Sequence, residues 1–303
     1  MTRDRLLTAV CFAAIHVVWG TTYLAIHYAV QTIPPLLTAG LRHTLGGAAL
    51  FAFCWARGLR PTAAQWRASV VAGILFFLIG HGSLHWAELY VPTGAAALFV
   101  ATEPVWVALL SALTMRDARL PRAAIAGLAI GIGGVGVLAG VPHGGGVREL
   151  VGSLAIVAGA ISWSLGIFYS RSAPLHPSTL MSASMSLLCG GAMLVIASAA
   201  TGSLAHFDLA RVSAASAAGL AYLVVFGSLT FAGYAWLLPR RSPVLIATHT
   251  YTNPLIAVLL GAAVAGERLT ARMAVAGAAI LLAIALVRRE EERSWELEGQ
   301  ISR

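Results

Sequence analysis

Apolar runs, each near the length of a membrane span, alternate with short polar connections along the chain. A span needs about 20 apolar residues. On that rule the pattern predicts ten helices, over Leu6–His27, Pro34–Trp55, Trp66–Glu88, Thr93–Met115, Arg122–Gly140, Val151–Arg171, Ser178–Ala200, Val212–Leu238, Pro243–Ala265 and Ala271–Val287. Pro and Gly punctuate the connections, as at Pro34-Pro35, Gly58 to Pro61, Pro142 to Gly146 and Pro174 to Pro177, and no room is left for a soluble domain. The first run follows Arg3 and Arg5 as a signal peptide would, but its length and the lack of a clean cleavage site make it a retained anchor.

The stretch from Ser242 to Leu269 repeats the outline of Pro92 to Arg119 at an offset of 150 residues. Thr102 meets Thr252, Pro104 meets Pro254, Asp117 meets Glu267, and the flanking Trp86 and Gly127 meet Trp236 and Gly277. Alanine and leucine matches come cheaply in such a composition, whereas Pro, Trp, Gly and acid matches at one offset do not. The period is half the chain, which predicts an internal repeat. Five spans per half force the second copy to enter the membrane from the opposite side, and inverted repeats of this kind frame midplane sites in transporters. The expected fold is therefore an all-α polytopic membrane protein with ten transmembrane helices in two inverted five-helix repeats. Residues 1–145 form the first repeat, 146–288 the second, and 289–303 a cytoplasmic tail of mixed charge.

Composition sharpens this reading. Apolar residues make up 58% and charged residues 11%, against roughly 45–50% and about 25% in soluble domains. The net charge of +8 comes from arginine alone, since no lysine is present. The arginines lie between apolar segments rather than along one face, which argues for a bilayer and against nucleic acid. With the N-terminus inside, 15 of the 20 arginines fall on the inner side, Arg148, Arg211, Arg268 and Arg272 fall outside, and Arg42 lies within a span. Basic residues favour the cytoplasmic side, so both termini are expected there. Cys11, Cys54 and Cys189 all fall inside apolar runs without CxxC spacing and read as small hydrophobes.

The residues that cost most to bury mark the candidate site. Glu103 stands at middle depth in its span, where a carboxylate is by default a functional hypothesis, either as a substrate partner or as a proton-coupling group. Arg42 is at a similar depth, about 12 Å from the outer end of its helix at 1.5 Å per residue. A structural Glu103–Arg42 pair is the rival reading of the acid. Pro104 and Pro254 sit mid-span at equivalent places and read either as packing kinks or as hinges beside a site. His81, His85 and Glu88 share one helical face that can be read as a metal site, but with no second ligand cluster it reads better as a hydrogen-bonded wall, and no metal is expected. His16, Trp19, Tyr23 and His27 share another face, with Trp19 and Tyr23 too deep for an interfacial belt. Trp163 and Tyr169, with His249, Thr252 and Asn253, complete a polar and aromatic set suited to a small amphipathic or zwitterionic molecule. Gly127, Gly131 and Gly134 read as a packing stripe.

The segments WGTTYLAI and TIPPLLTAGLR, then HWAELYVPTGAAALFVATEPVWVALL, then NPLIAVLLGAAVAGERL, resemble the EamA family of the drug/metabolite transporter superfamily. The resemblance covers nearly the whole chain. It implies ten helices in two inverted halves, a bacterial inner-membrane location, and export of amino acids or related metabolites. It also implies a cavity lined by spans one, three, four, six, eight and nine, which carries substrate binding onto Trp19, Tyr23, His81, Glu103, Trp163, His249 and Asn253. Two departures change the charge of that cavity: His81 where an amide is expected, and Glu103 where an uncharged residue is expected. The reading is an exporter of amino acids or amphipathic amines by alternating access, with no catalytic constellation and no cofactor. The alternative within transport is exchange or import of organic anions or phosphorylated metabolites. Expected partners are a small-molecule substrate and the lipid bilayer, with a homodimer left open.

Overall fold

A computed structural model describes residues 3–114, 122–139, 146–205, 207–241, 246, 249–283 and 285–286. Asp117, the predicted start of the ninth helix at Pro243, and the tail lie outside the described residues. The described chain is helical, without strands: α1 (Asp4–Ala29), α2 (Pro35–Ala56), α3 (Ala63–Ala87), α4 (Thr93–Val100), α5 (Glu103–Thr114), α6 (Arg122–Ala139), α7 (Gly146–Ser172), α8 (Thr179–Ala200), α9 (Ala214–Leu237), α10 (His249–Val264) and α11 (Ala271–Ala283). Five of these, α1, α3, α7, α8 and α9, are long and apolar enough to cross a membrane by length and composition. The outward faces carry Ile196, Leu229 and Leu259, each more than half exposed, as a lipid-facing surface requires.

Three helices are wound differently from what hydropathy alone indicates. Ala14–Val18 in α1, Ile74–His81 in α3 and Leu223–Gly227 in α9 are π-helical stretches inside otherwise α-helical rods. The fourth predicted span is two helices, because the chain turns at Ala101 and Thr102 between α4 and α5. Thr102 Oγ1 donates to Phe99 O (2.7 Å) and accepts from Trp106 Nε1 (3.1 Å), bracing the turn from both sides. Pro104 thus occupies the first turn of α5, where its missing N–H costs nothing. Pro254, by contrast, lies inside α10.

The packing runs in matched pairs. α3 lies on α7 as α9 lies on α1; α4 and α5 lie on α7 as α10 lies on α1; α3 meets α8 as α9 meets α2. α2 packs along α8, and α4 along α10. The α2–α8 crossing is close because small residues let the backbones touch. A Cβ on Gly47 would stand 2.8 Å from Leu188 N, and one on Gly191 2.5 Å from Thr44 N.

At one end of the bundle the α10–α11 connection folds back over the start of α4. There Glu267 Oε1 accepts from Thr93 N (2.8 Å) and Oε2 from Gly94 N (3.2 Å). The first N–H groups of a helix have no partner within it, and the helix dipole favours an anion there. Glu267 therefore ties two distant segments together at this end, where Val91 and Thr93 are buried.

Candidate functional site

α1, α2, α3, α4, α5, α7 and α10 line a cavity of about 70 Å³. All seven residues singled out from the sequence, Trp19, Tyr23, His81, Glu103, Trp163, His249 and Asn253, stand on its wall, and Arg42 joins them. Other candidates stand elsewhere. Tyr169 packs behind the wall. Thr252 Oγ1 donates to His249 O (3.2 Å), and His16 bonds to Phe12 O. Glu88 lies at the end of α3, 5% exposed, with neither oxygen hydrogen-bonded. The His81, His85 and Glu88 face is thus divided, and no cluster able to hold a metal occurs among the described residues.

Aromatic rings form one side of the chamber. Trp19 stands 6.0 Å from Trp163, 5.0 Å from Tyr234 and 5.1 Å from His249, centroid to centroid. Trp163 in turn lies 5.1 Å from His81 and 4.8 Å from Phe76. Such negative ring faces attract cations. Asn253, with its amide nitrogen turned toward α1, donates to Ile15 O (3.1 Å) and His16 O (2.9 Å), both in the π-helical stretch.

Glu103 is 9% exposed at the first residue of α5, where the helix N-terminus makes a buried carboxylate tolerable. Ser164 Oγ reaches its backbone carbonyl at 3.4 Å, fixing α5 against α7. Among the described residues Glu103 and Arg42 make no ion pair, so the structural pairing weighed from the sequence is absent. Arg42 Nη1 instead stands 3.5 Å from His85 Nε2. Two contributors were missed by sequence reasoning. Tyr234 lies at the 150-residue offset from Leu84, itself on the cavity wall, so the repeat carried a signal for it. His43, adjacent to Arg42 in an apolar run, pairs with His81 at 2.9 Å.

A second cavity, of about 660 Å³, shares Glu103 and His249 with the first and runs from them to Arg171, His176, Arg240 and Arg241. Glu103 and His249 therefore form the partition between a small chamber and a larger vestibule. The vestibule meets the surface at the arginine-rich end, opposite the end that Glu267 ties.

A cavity bearing buried polar side chains inside an apolar helical bundle, joined to a larger vestibule, is what a polytopic membrane transporter requires. The chain matches the EamA-like transporter family twice, over residues 7–140 and again over 150–289. It belongs to that family, within the drug/metabolite transporters, and is a multi-pass inner-membrane protein. It is 34% identical over 284 residues to the uncharacterized inner membrane transporter YedA of Escherichia coli K12, covering 90% of this chain and 88% of that one. It is 30% identical over 251 residues to protein PecM of Dickeya dadantii, covering 80% of each. A solved structure titled only as the crystal structure of a protein superposes with a TM-score of 0.65 at 24% identity, covering 96% of this chain and 99% of that one, which shows the shared fold. Family and relatives point to transport rather than to enzymatic chemistry.

Proposed function

We propose that the protein exports amino acids or related amphipathic amines by alternating access, with Glu103 pairing the substrate's ammonium and exchanging it for a proton. The observation that carries this reading is the buried Glu103 carboxylate in the partition, facing the cavity that Trp19, Trp163 and His249 also line. A carboxylate without a fixed cationic partner is free to take either an ammonium group or a proton. The matched packings, α3 on α7 with α9 on α1, support two inverted halves that rock about the chamber. Placing the arginine-rich end in the cytoplasm makes this the inward-open state, with both termini inside and Glu267 closing the outer end. Pro104 and Pro254 then serve as hinges, one at a helix start and one within a helix. A second reading, exchange or import of organic anions or phosphorylated metabolites, draws on Arg42 and on the vestibule arginines Arg171, Arg240 and Arg241.

The test is radiolabel flux in proteoliposomes with a panel of amino acids and amines, for wild type and Glu103→Gln. Wild type is expected to show saturable flux and a folded Glu103→Gln to lose it. Full flux in a stable Glu103→Gln ends the claim for the carboxylate. Flux of anionic or phosphorylated metabolites alone replaces the first reading with the second.

A further inference from the structure

Arg42 is 2% exposed, and among the described residues no carboxylate meets it. The guanidinium's one hydrogen bond is the 3.5 Å contact to His85, and its Nε has no partner. A guanidinium buried without a counter-charge is strongly disfavoured. Yet this one lines the chamber together with Glu103 and does not pair with it. Among the described residues nothing supplies that counter-charge.

We propose that Arg42 and His81 form a subsite that takes the substrate's carboxylate. This rests on the reading above, in which Glu103 holds the ammonium group, and narrows the cargo from amphipathic amines to zwitterionic amino acids. The neighbouring histidines are positioning residues that fix which nitrogen of each ring carries its proton. His85 Nδ1 lies 2.7 Å from the His81 carbonyl and so donates to it, leaving Nε2 bare toward Arg42. His43 Nε2 and His81 Nδ1 share one proton across 2.9 Å. His43 Nδ1 is buried without a partner. A bare lone pair is cheaper there than an unmet N–H, so His43 carries its proton on Nε2 and donates to His81. Neutral His81 then holds its own proton on Nε2, which leaves that nitrogen a donor. An amide here would offer both a donor and an acceptor, whereas His81 held in this tautomer offers a donor only, which suits an anion.

The test uses the full chain in nanodiscs, with binding followed by thermal shift. The probes are proteinogenic amino acids, their decarboxylated amines, acetate and phenylacetate. Wild type is expected to bind an amino acid about 10- to 100-fold more tightly than the matching amine. Arg42→Gln and His81→Phe are expected to erase that preference while amine binding persists. Gly227→Ala provides a variant that leaves every charge in place: its new Cβ would stand 2.6 Å from Arg42 Nη2, a flexible side-chain end that yields at little cost to folding. It is expected to weaken the amino acid about tenfold and to spare the amine. An undiminished preference in folded Arg42→Gln or Gly227→Ala overturns the subsite. If wild type binds acetate and phenylacetate through Arg42 but no amino acid or amine, the subsite stands and the amino-acid reading falls. Binding of none of the probes overturns both. For His43, ¹⁵N spectra of histidine-labelled protein should show the Nε2–H tautomer of His81 in wild type and its loss in His43→Phe. An unchanged His81 signature removes His43 from the scheme.

Discussion

Removing the Glu267 carboxylate should loosen one end of the transporter far more than it unfolds the protein. The perturbation is Glu267→Ala, which deletes the acceptors for Thr93 N and Gly94 N, at 2.8 and 3.2 Å. Loss of a helix cap costs about 0.5–2 kcal/mol, and loss of an anion at the positive end of the helix about 0.3–1 kcal/mol more. These bonds exist only while the α10–α11 connection touches the start of α4. The combined cost, about 1–3 kcal/mol, therefore falls on the state closed at this end, and the closed-to-open ratio drops by roughly 5- to 150-fold. The assay is labelling by a membrane-impermeant maleimide of a cysteine placed at Ile26, a chamber residue 1% exposed here, in a background lacking Cys11, Cys54 and Cys189. Glu267→Ala should raise the labelling rate from the outer side within that range. Wild-type labelling and wild-type flux in the folded variant would refute the argument and reduce Glu267 to a cap.

Other expectations follow from single contacts. Gly191→Ala drives a methyl into the α2 backbone near Thr44 N and should destabilise the protein by about 1–3 kcal/mol, read as a lower melting temperature. Trp163→Ala removes an aromatic wall of the chamber and should raise the KM for a cationic substrate about 2- to 30-fold, from a cation–π contribution of about 0.5–2 kcal/mol, and should also lower the melting temperature because the ring is buried among Trp19, Phe76 and His81. Asn253→Ala should cost about 1–3 kcal/mol through its two lost bonds to α1, measured by thermal unfolding. A reporter active only outside the cytoplasm should give signal when fused at Gly145 and none at Arg303; the reverse pattern would invert the orientation.

The helical class was legible because lipid demands runs of apolar residues, and the chamber was legible because polar side chains inside such runs are costly. That cost, together with the family resemblance, singled out the seven residues that stand on the chamber wall. What escaped was whatever depends on direction rather than depth. Glu103 and Arg42 read as lying at the same level, and both line the chamber, but one also borders the vestibule and the other lies against His85. His43 fitted no helical face with the other polar residues, so its bond to His81 had no signature along the chain. Pro104 read as a mid-span kink because hydropathy carries on unbroken through Ala101 and Thr102, where the backbone does not.

The π-helical stretches bear on ancestry. A π turn is what an α-helix becomes when it takes in one extra residue and keeps both of its ends. Ile74–His81 shifted by 150 falls on 224–231, overlapping Leu223–Gly227, so two helices at equivalent places carry the same scar. On the view that the halves descend from one ancestral five-helix gene, that insertion is older than the duplication. Ala14–Val18 has no counterpart in α7, which is α-helical from Gly146 to Ser172, and so belongs to the time after the copies parted. Reversing the older event is within reach of the bench. Deleting one residue from 74–81 should let that stretch relax to plain α-helix with both of its ends kept, re-aiming the side chains inside it, His81 among them, while His85 in the turn beyond stays near Arg42 and the span remains long enough to cross the bilayer.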